Sequence, residues 1–229
     1  MPTHGVPKER ICIALDTTEF HEAQRLVYCL KEQVGWFKVG LSLFYAHGRQ
    51  ACDLVLQSGA RLFLDLKLMD IPHQVELAIE SLRDTGASLL TVHCLGGQEM
   101  LETCARVKGE MKVVGVTLLS SISEEDLGQI FDTRDTMQVT QRLARLAINA
   151  HLDGVVCSPL EVKSLKEKVP EGFMIIVPGI RGRTDEKADQ ARTASPSFAL
   201  AGGADIIVIG RPVTSAQDPS EALAKLLEQ

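Results

Sequence analysis

Arg61-Leu62-Phe63-Leu64-Asp65-Leu66-Lys67-Leu68-Met69-Asp70-Ile71-Pro72 is an apolar run that ends in charge and then in a helix-opening proline. Its length and composition read as a buried strand over residues 61–67, with a helix starting at Pro72. On a strand, side chains two apart share a face, so Asp65 and Lys67 point together while Leu64, Leu66 and Leu68 point the other way. Two opposite charges facing one interior are costly unless each finds partners, and a catalytic site would justify that cost. The plainer reading of the same residues is a structural ion pair at a strand end, with Asp70 capping the helix.

Comparable apolar runs recur at residues 11–16, 36–41, 89–94, 112–119, 154–157, 173–178 and 205–210. Between them lie segments with helical spacing, such as Ala23, Leu26, Val27 and Leu30, or Val75, Leu77, Ala78 and Leu82. Strands that are apolar on both faces and alternate with helices indicate a parallel sheet covered by helices. Eight such units in 229 residues predict a (β/α)8 TIM barrel formed as a single domain over residues 1–229, with an open doubly wound sheet as the alternative. The polar interval 123–136 is expected to carry a mobile loop ahead of a helix over 137–150. The charged interval 181–192 reads as a second lid, and a helix over 221–228 as the closing element.

Composition narrows the partners. The chain is 45% hydrophobic and 24% charged with a net charge of -6, which gives no basic surface for nucleic acid. Cys12, Cys29, Cys52, Cys94, Cys104 and Cys157 are dispersed without CxxC spacing, so neither a zinc site nor a disulfide framework is expected, and a reduced cytoplasmic setting is. Residues 1–10 are polar without a signal-peptide core, and no run is long and apolar enough to span a bilayer.

In a barrel of this kind the chemistry gathers at the C-terminal ends of the strands. Asp16 ends the first strand, Lys38 sits in the second, Asp65 and Lys67 end the third, His93 ends the fourth and Ser120 follows the fifth. Lys38, between Phe37 and Val39, needs an anionic neighbour. Asp16 could instead open a capping box with Glu19, and His93 could be a satisfied core histidine. Val177-Pro178-Gly179-Ile180-Arg181, Gly202-Gly203 and Ile209-Gly210-Arg211 fall in the last two units. There glycines admit a close backbone approach and arginine supplies a forked donor, so a phosphate site is predicted; simple turn geometry is the alternative for the glycines.

With Asp65-x-Lys67-x-x-Asp70-Ile71-Pro72, Phe37-Lys38-Val39-Gly40, Ala14-Leu15-Asp16, Val177-Pro178-Gly179-Ile180-Arg181 and Gly210-Arg211 in this order, the chain resembles the orotidine 5'-phosphate decarboxylases over essentially its whole length. The resemblance implies a dimeric barrel that converts orotidine 5'-monophosphate to uridine 5'-monophosphate and CO2 with no metal and no organic cofactor. It implies Lys67 as proton donor to C6, Asp65 beside the departing carboxylate, and Asp70 and Ile71 reaching into the partner subunit's site, so that Lys38, Asp65, Lys67 and Asp70 form one catalytic charge network completed across the dimer. Lys38 would link the carboxylates and the ribose, Asp16 would bind a ribose hydroxyl, and Ser120 would read the pyrimidine edge. Gln190, Arg181 and Arg211 would close on the phosphate with backbone from Gly179, Gly203 and Gly210. Gln74 departs from the threonine that many relatives place against the ribose. Sugar-phosphate decarboxylases and hexulose-phosphate synthases share a DxKxxD run but use Mg2+ and place a carboxylate where this chain has Lys38. A non-catalytic sensor of phosphorylated metabolites is the alternative of another class.

Overall fold

The structure, a computed structural model, describes residues 5–182 and 192–229. Eight parallel strands close into a barrel in sequence order: β1 (Ile11–Leu15), β2 (Trp36–Gly40), β3 (Arg61–Leu68), β4 (Leu89–His93), β5 (Lys112–Val116), β6 (Gly154–Val156), β7 (Met174–Val177) and β8 (Ile206–Ile209). Pairing of β1 with both β2 and β8 completes the closure and excludes the open sheet. The covering helices are α1 (Phe20–Leu30), α2 (Leu41–His47), α3 (Arg49–Gln57), α4 (Pro72–Arg83), α5 (Gln98–Val107), α6 (Glu124–Ile130), α7 (Thr136–Asn149), α8 (Val162–Lys166), α9 (Pro196–Ala201), α10 (Arg211–Thr214) and α11 (Pro219–Leu227). Among the described residues no helix is long and apolar enough to cross a membrane.

Period-two alternation divides each strand between two cores. Ile13, Phe37, Leu64, Leu90 and Val113 pack outward against the helices, while Cys12, Trp36, Phe63, Leu89, Val114 and Ile176 fill the barrel interior. Further along the inward face the pattern turns polar: Cys12-Ala14 leads to Asp16, Trp36 to Lys38, Phe63 to Asp65 and Lys67, and Leu89 to Thr91. The apolar floor thereby leaves a polar cup at the C-terminal end of the strands.

At the opposite end, aspartates in the turns before strands close the ladder. Asp153 Oδ2 accepts the Val113 N–H at 2.8 Å, and Asp205 Oδ2 accepts the Ile175 N–H at 2.7 Å. Each carboxylate is also paired with a lysine, Lys108 and Lys166 respectively.

One of the two expectations about loops changes. The interval 123–136 is not an irregular loop throughout, because Ser123 and Asp126 cap each other reciprocally and nucleate α6. The Ser123 hydroxyl accepts the Asp126 N–H and the Asp126 carboxylate accepts the Ser123 N–H, both at 3.1 Å. The second lid, 181–192, lies mostly outside the described residues, which include its ends Arg181, Gly182 and Arg192 but not Gln190.

Candidate active site

The third strand leaves its ladder where the charges stand. Leu64 pairs with Leu90 and Leu68 with Val92, so four steps along β3 are matched by two along β4. The bulge lies between them and turns Asp65 and Lys67 into the cup. Lys67 takes the left-handed conformation, φ 48°, which costs a non-glycine residue about 1–3 kcal/mol. Lys67→Gly is therefore expected to be more heat-stable than Lys67→Ala, by about 1 kcal/mol, in thermal unfolding of the two variants. Equal stability would show that the strain is relieved elsewhere.

Alternating charges then run from strand to strand. Lys38 Nζ lies 2.8 Å from Asp16 Oδ1 and 3.3 Å from Asp65 Oδ2, and Lys67 Nζ lies 2.8 Å from Asp65 Oδ1. Thr91, on the neighbouring strand, donates its hydroxyl to Asp65 Oδ1 at 2.9 Å. Gly40 leaves the room this requires, since a Cβ there would meet Asp16 Oδ1 at 3.0 Å and Lys38 Nζ at 3.1 Å.

Burial alone would push the Lys38 ammonium down, but the Asp65 and Asp16 carboxylates outweigh it and hold it above the usual lysine range. Burial would likewise raise Asp65, yet Lys38 and Lys67, with hydrogen bonds from Lys67 and Thr91, hold it below the usual carboxylate range. Because the folded-state value of Asp65 is depressed, its stabilising contribution is complete above the ordinary carboxylate pKa of about 4 and is lost as pH falls through the folded value. His93 is lowered by burial and then by the Lys67 charge, and its Nδ1 accepts the Leu95 N–H at 3.3 Å. One of its two ring nitrogens is thereby held by the backbone of the turn that follows β4.

A cavity of about 800 Å3 opens over these charges. Asp16, Lys38, Asp65 and Lys67 line it together with Ser120 after β5 and with Gly179, Arg181, Gly210 and Arg211 after β7 and β8. Gly203 is not brought there. It belongs to the turn that enters β8, at the other end of the strand, where φ 102° and close packing of Lys166 account for the glycine. The Asp16 capping box is also replaced: Thr17 Oγ1 accepts the Glu19 N–H, and Asp16 is given over to Lys38.

Asp70, Ile71 and Gln74 are exposed and do not line the cavity of this single chain. Asp70 Oδ1 accepts the Ile71 N–H at 2.7 Å, while Ile71 itself occupies the N-cap position and Pro72 the first turn of α4.

Two features have no counterpart in the sequence reading. One is Thr91. The other is a buried pair between Glu161 and Arg192, in which Arg192 Nη2 also donates to the Leu119 carbonyl at 2.9 Å. Burial pushes the Glu161 carboxyl up and Arg192 opposes it. The pair ties residues after β5, β6 and β7 together behind Ser120.

A closed barrel with opposed charges and arginines around a deep cup defines a TIM-barrel enzyme acting on a small anionic molecule. The model of the orotidine 5'-phosphate decarboxylase / HUMPS family matches residues 9–226, and the chain belongs to that family. A relative from Anaeromyxobacter sp. (strain K), named orotidine 5'-phosphate decarboxylase, is 43% identical over 217 residues, 94% of this chain and 96% of the relative. One of the same name from Paramagnetospirillum magneticum is 38% identical over 225 residues, 94% of this chain and 96% of its own. The crystal structure of orotidine 5'-phosphate decarboxylase from Lactobacillus acidophilus superimposes with a TM-score of 0.81 at 32% identity, covering 96% of this chain and 98% of that one.

Proposed function

We propose that the chain decarboxylates orotidine 5'-monophosphate to uridine 5'-monophosphate and CO2 through the Asp16, Lys38, Asp65 and Lys67 array. The observation that carries the reading is Lys67 held 2.8 Å from Asp65 at the cavity wall, with Lys38 behind it. Breaking the C6 to carboxylate bond leaves an electron pair on C6. The Lys67 ammonium stabilises that pair and then delivers its proton to C6, while Asp65 stands where the carboxylate departs. Preorganised charge of this kind acts strongly where water is excluded.

Lys38 links Asp65 to Asp16, which takes a ribose hydroxyl, and Ser120 reads the pyrimidine edge. Arg181 and Arg211, with backbone at Gly179 and Gly210, hold the phosphate, and Gln190 joins them. The reading takes no metal or organic cofactor, because Lys38 and Lys67 together already balance the Asp16 and Asp65 carboxylates and a divalent cation beside them would face two fixed ammonium groups. That argues against the Mg2+-dependent sugar-phosphate chemistry of the wider family.

We further place the enzyme as a cytoplasmic homodimer, a setting that suits its six free cysteines. Leu41, Tyr45, Met69, Ile71 and Leu95 are large apolar residues left exposed after three neighbouring strands, β2, β3 and β4. A second copy seated there would bring Asp70 and Ile71, and Gln74 at the ribose, towards the partner's cavity. Ile71→Asp should sediment as one chain where the unaltered protein sediments as two, with activity lost in parallel. A variant that stays dimeric and active would remove this face from the interface.

The reaction itself is tested in D2O: uridine 5'-monophosphate carrying deuterium at C6 is the expected product. Unconsumed substrate would refute the activity.

A further inference from the structure

Thr91 is fully buried on the inward face of β4, and its hydroxyl stands between two groups of β3. Its Oγ1 is 2.9 Å from the Lys67 backbone nitrogen and 2.9 Å from Asp65 Oδ1. An amide N–H can only donate, so a hydroxyl lone pair answers Lys67 and the single hydroxyl proton goes to Asp65. Oδ1 of Asp65 thus receives the Thr91 hydroxyl and the Lys67 ammonium, and Oδ2 is left to Lys38.

This contact sits inside the bulge, where the register of β3 against β4 slips between Leu64 and Leu68. The hydroxyl accepts the Lys67 N–H where the regular ladder is interrupted. It also joins the strained Lys67 backbone to the carboxylate that its own ammonium contacts.

We propose that Thr91 is a positioning residue for the decarboxylation, its hydroxyl holding the Asp65 carboxylate and the left-handed Lys67 backbone as one unit aimed into the cavity. The inference rests on the function proposed above. Valine at this position would keep the branched shape and fill the same space, while leaving Asp65 one donor short and the Lys67 N–H without its acceptor. Serine would keep both hydrogen bonds and lose only a methyl group.

Steady-state decarboxylation of orotidine 5'-monophosphate by the unaltered protein, Thr91→Val and Thr91→Ser tests this. Thr91→Val should lower kcat by about 10- to 100-fold, the scale of a lost hydrogen bond to a charged group, with KM within about 3-fold. Thr91→Ser should stay within about 3-fold of the unaltered kcat, because the hydroxyl is restored. If Thr91→Val is poorly folded by circular dichroism, Thr91→Cys takes its place, since a thiol fills similar space with only a weak donor. A valine or cysteine variant with unaltered kcat, or a serine variant as impaired as valine, would overturn the positioning role alone. An unaltered protein that leaves the substrate intact would overturn the functional reading and this inference with it.

Discussion

Lys67→Ala should retain the fold and lose turnover of orotidine 5'-monophosphate by about 10,000-fold or more, because the proposed function gives one ammonium the tasks of electrostatic stabiliser and proton donor. The fold should survive because Asp65 keeps Lys38 at 3.3 Å and the Thr91 hydroxyl at 2.9 Å, so its buried carboxylate is not left alone. Binding of uridine 5'-monophosphate, followed by calorimetry, reports whether the cavity is intact in the variant. Retained turnover in a preparation free of host enzyme would take Lys67 out of its assigned role. Loss of both turnover and nucleotide binding would point to collapse of the network instead.

Arg211→Ala should lower kcat/KM by about 1,000-fold, since a forked guanidinium on a phosphate contributes several kcal/mol and part of that binding energy is realised only in the transition state. Arg211 opens α10 just after β8, the strand that pairs with β1, and lines the same cavity as Asp16 and Lys67. The control is orotidine without its phosphate. The unaltered protein and Arg211→Ala should process that nucleoside at similar rates, because the contact removed has nothing to hold. A variant equally impaired on both substrates would mean that Arg211 supports the fold of the cup rather than the phosphate.

Much of the architecture was legible because the strands carry apolar residues on both faces and the helices return every few turns. Each of the eight strands begins within one residue of its expected start, and the helix after Pro72 opens where proline requires. Asp16, Lys38, Asp65, Lys67 and Ser120 meet in one cavity because each lies at the same end of its strand. Gly203 was misplaced for the converse reason: a glycine pair near β8 marks a turn, and only the topology says which end of the strand the turn serves. Thr91 was hidden because a β-branched residue in an apolar strand is ordinary strand composition. Its importance comes from the bulge opposite, and Lys67, unlike a glycine, gives no sign of a left-handed backbone. The Glu161 and Arg192 pair joins positions 31 apart in sequence, and nothing local to either residue announces the partner.

The most direct measurement mixes the protein with orotidine 5'-monophosphate and follows the ultraviolet absorbance, with and without EDTA. Rapid conversion to uridine 5'-monophosphate at the same rate in both is the expected result, since the proposed function assigns the stabilising charge to Lys38 and Lys67. Absence of conversion, or conversion abolished by the chelator, would contradict a lysine-driven decarboxylation and favour a metal-dependent sugar-phosphate reaction or a binding role for the barrel.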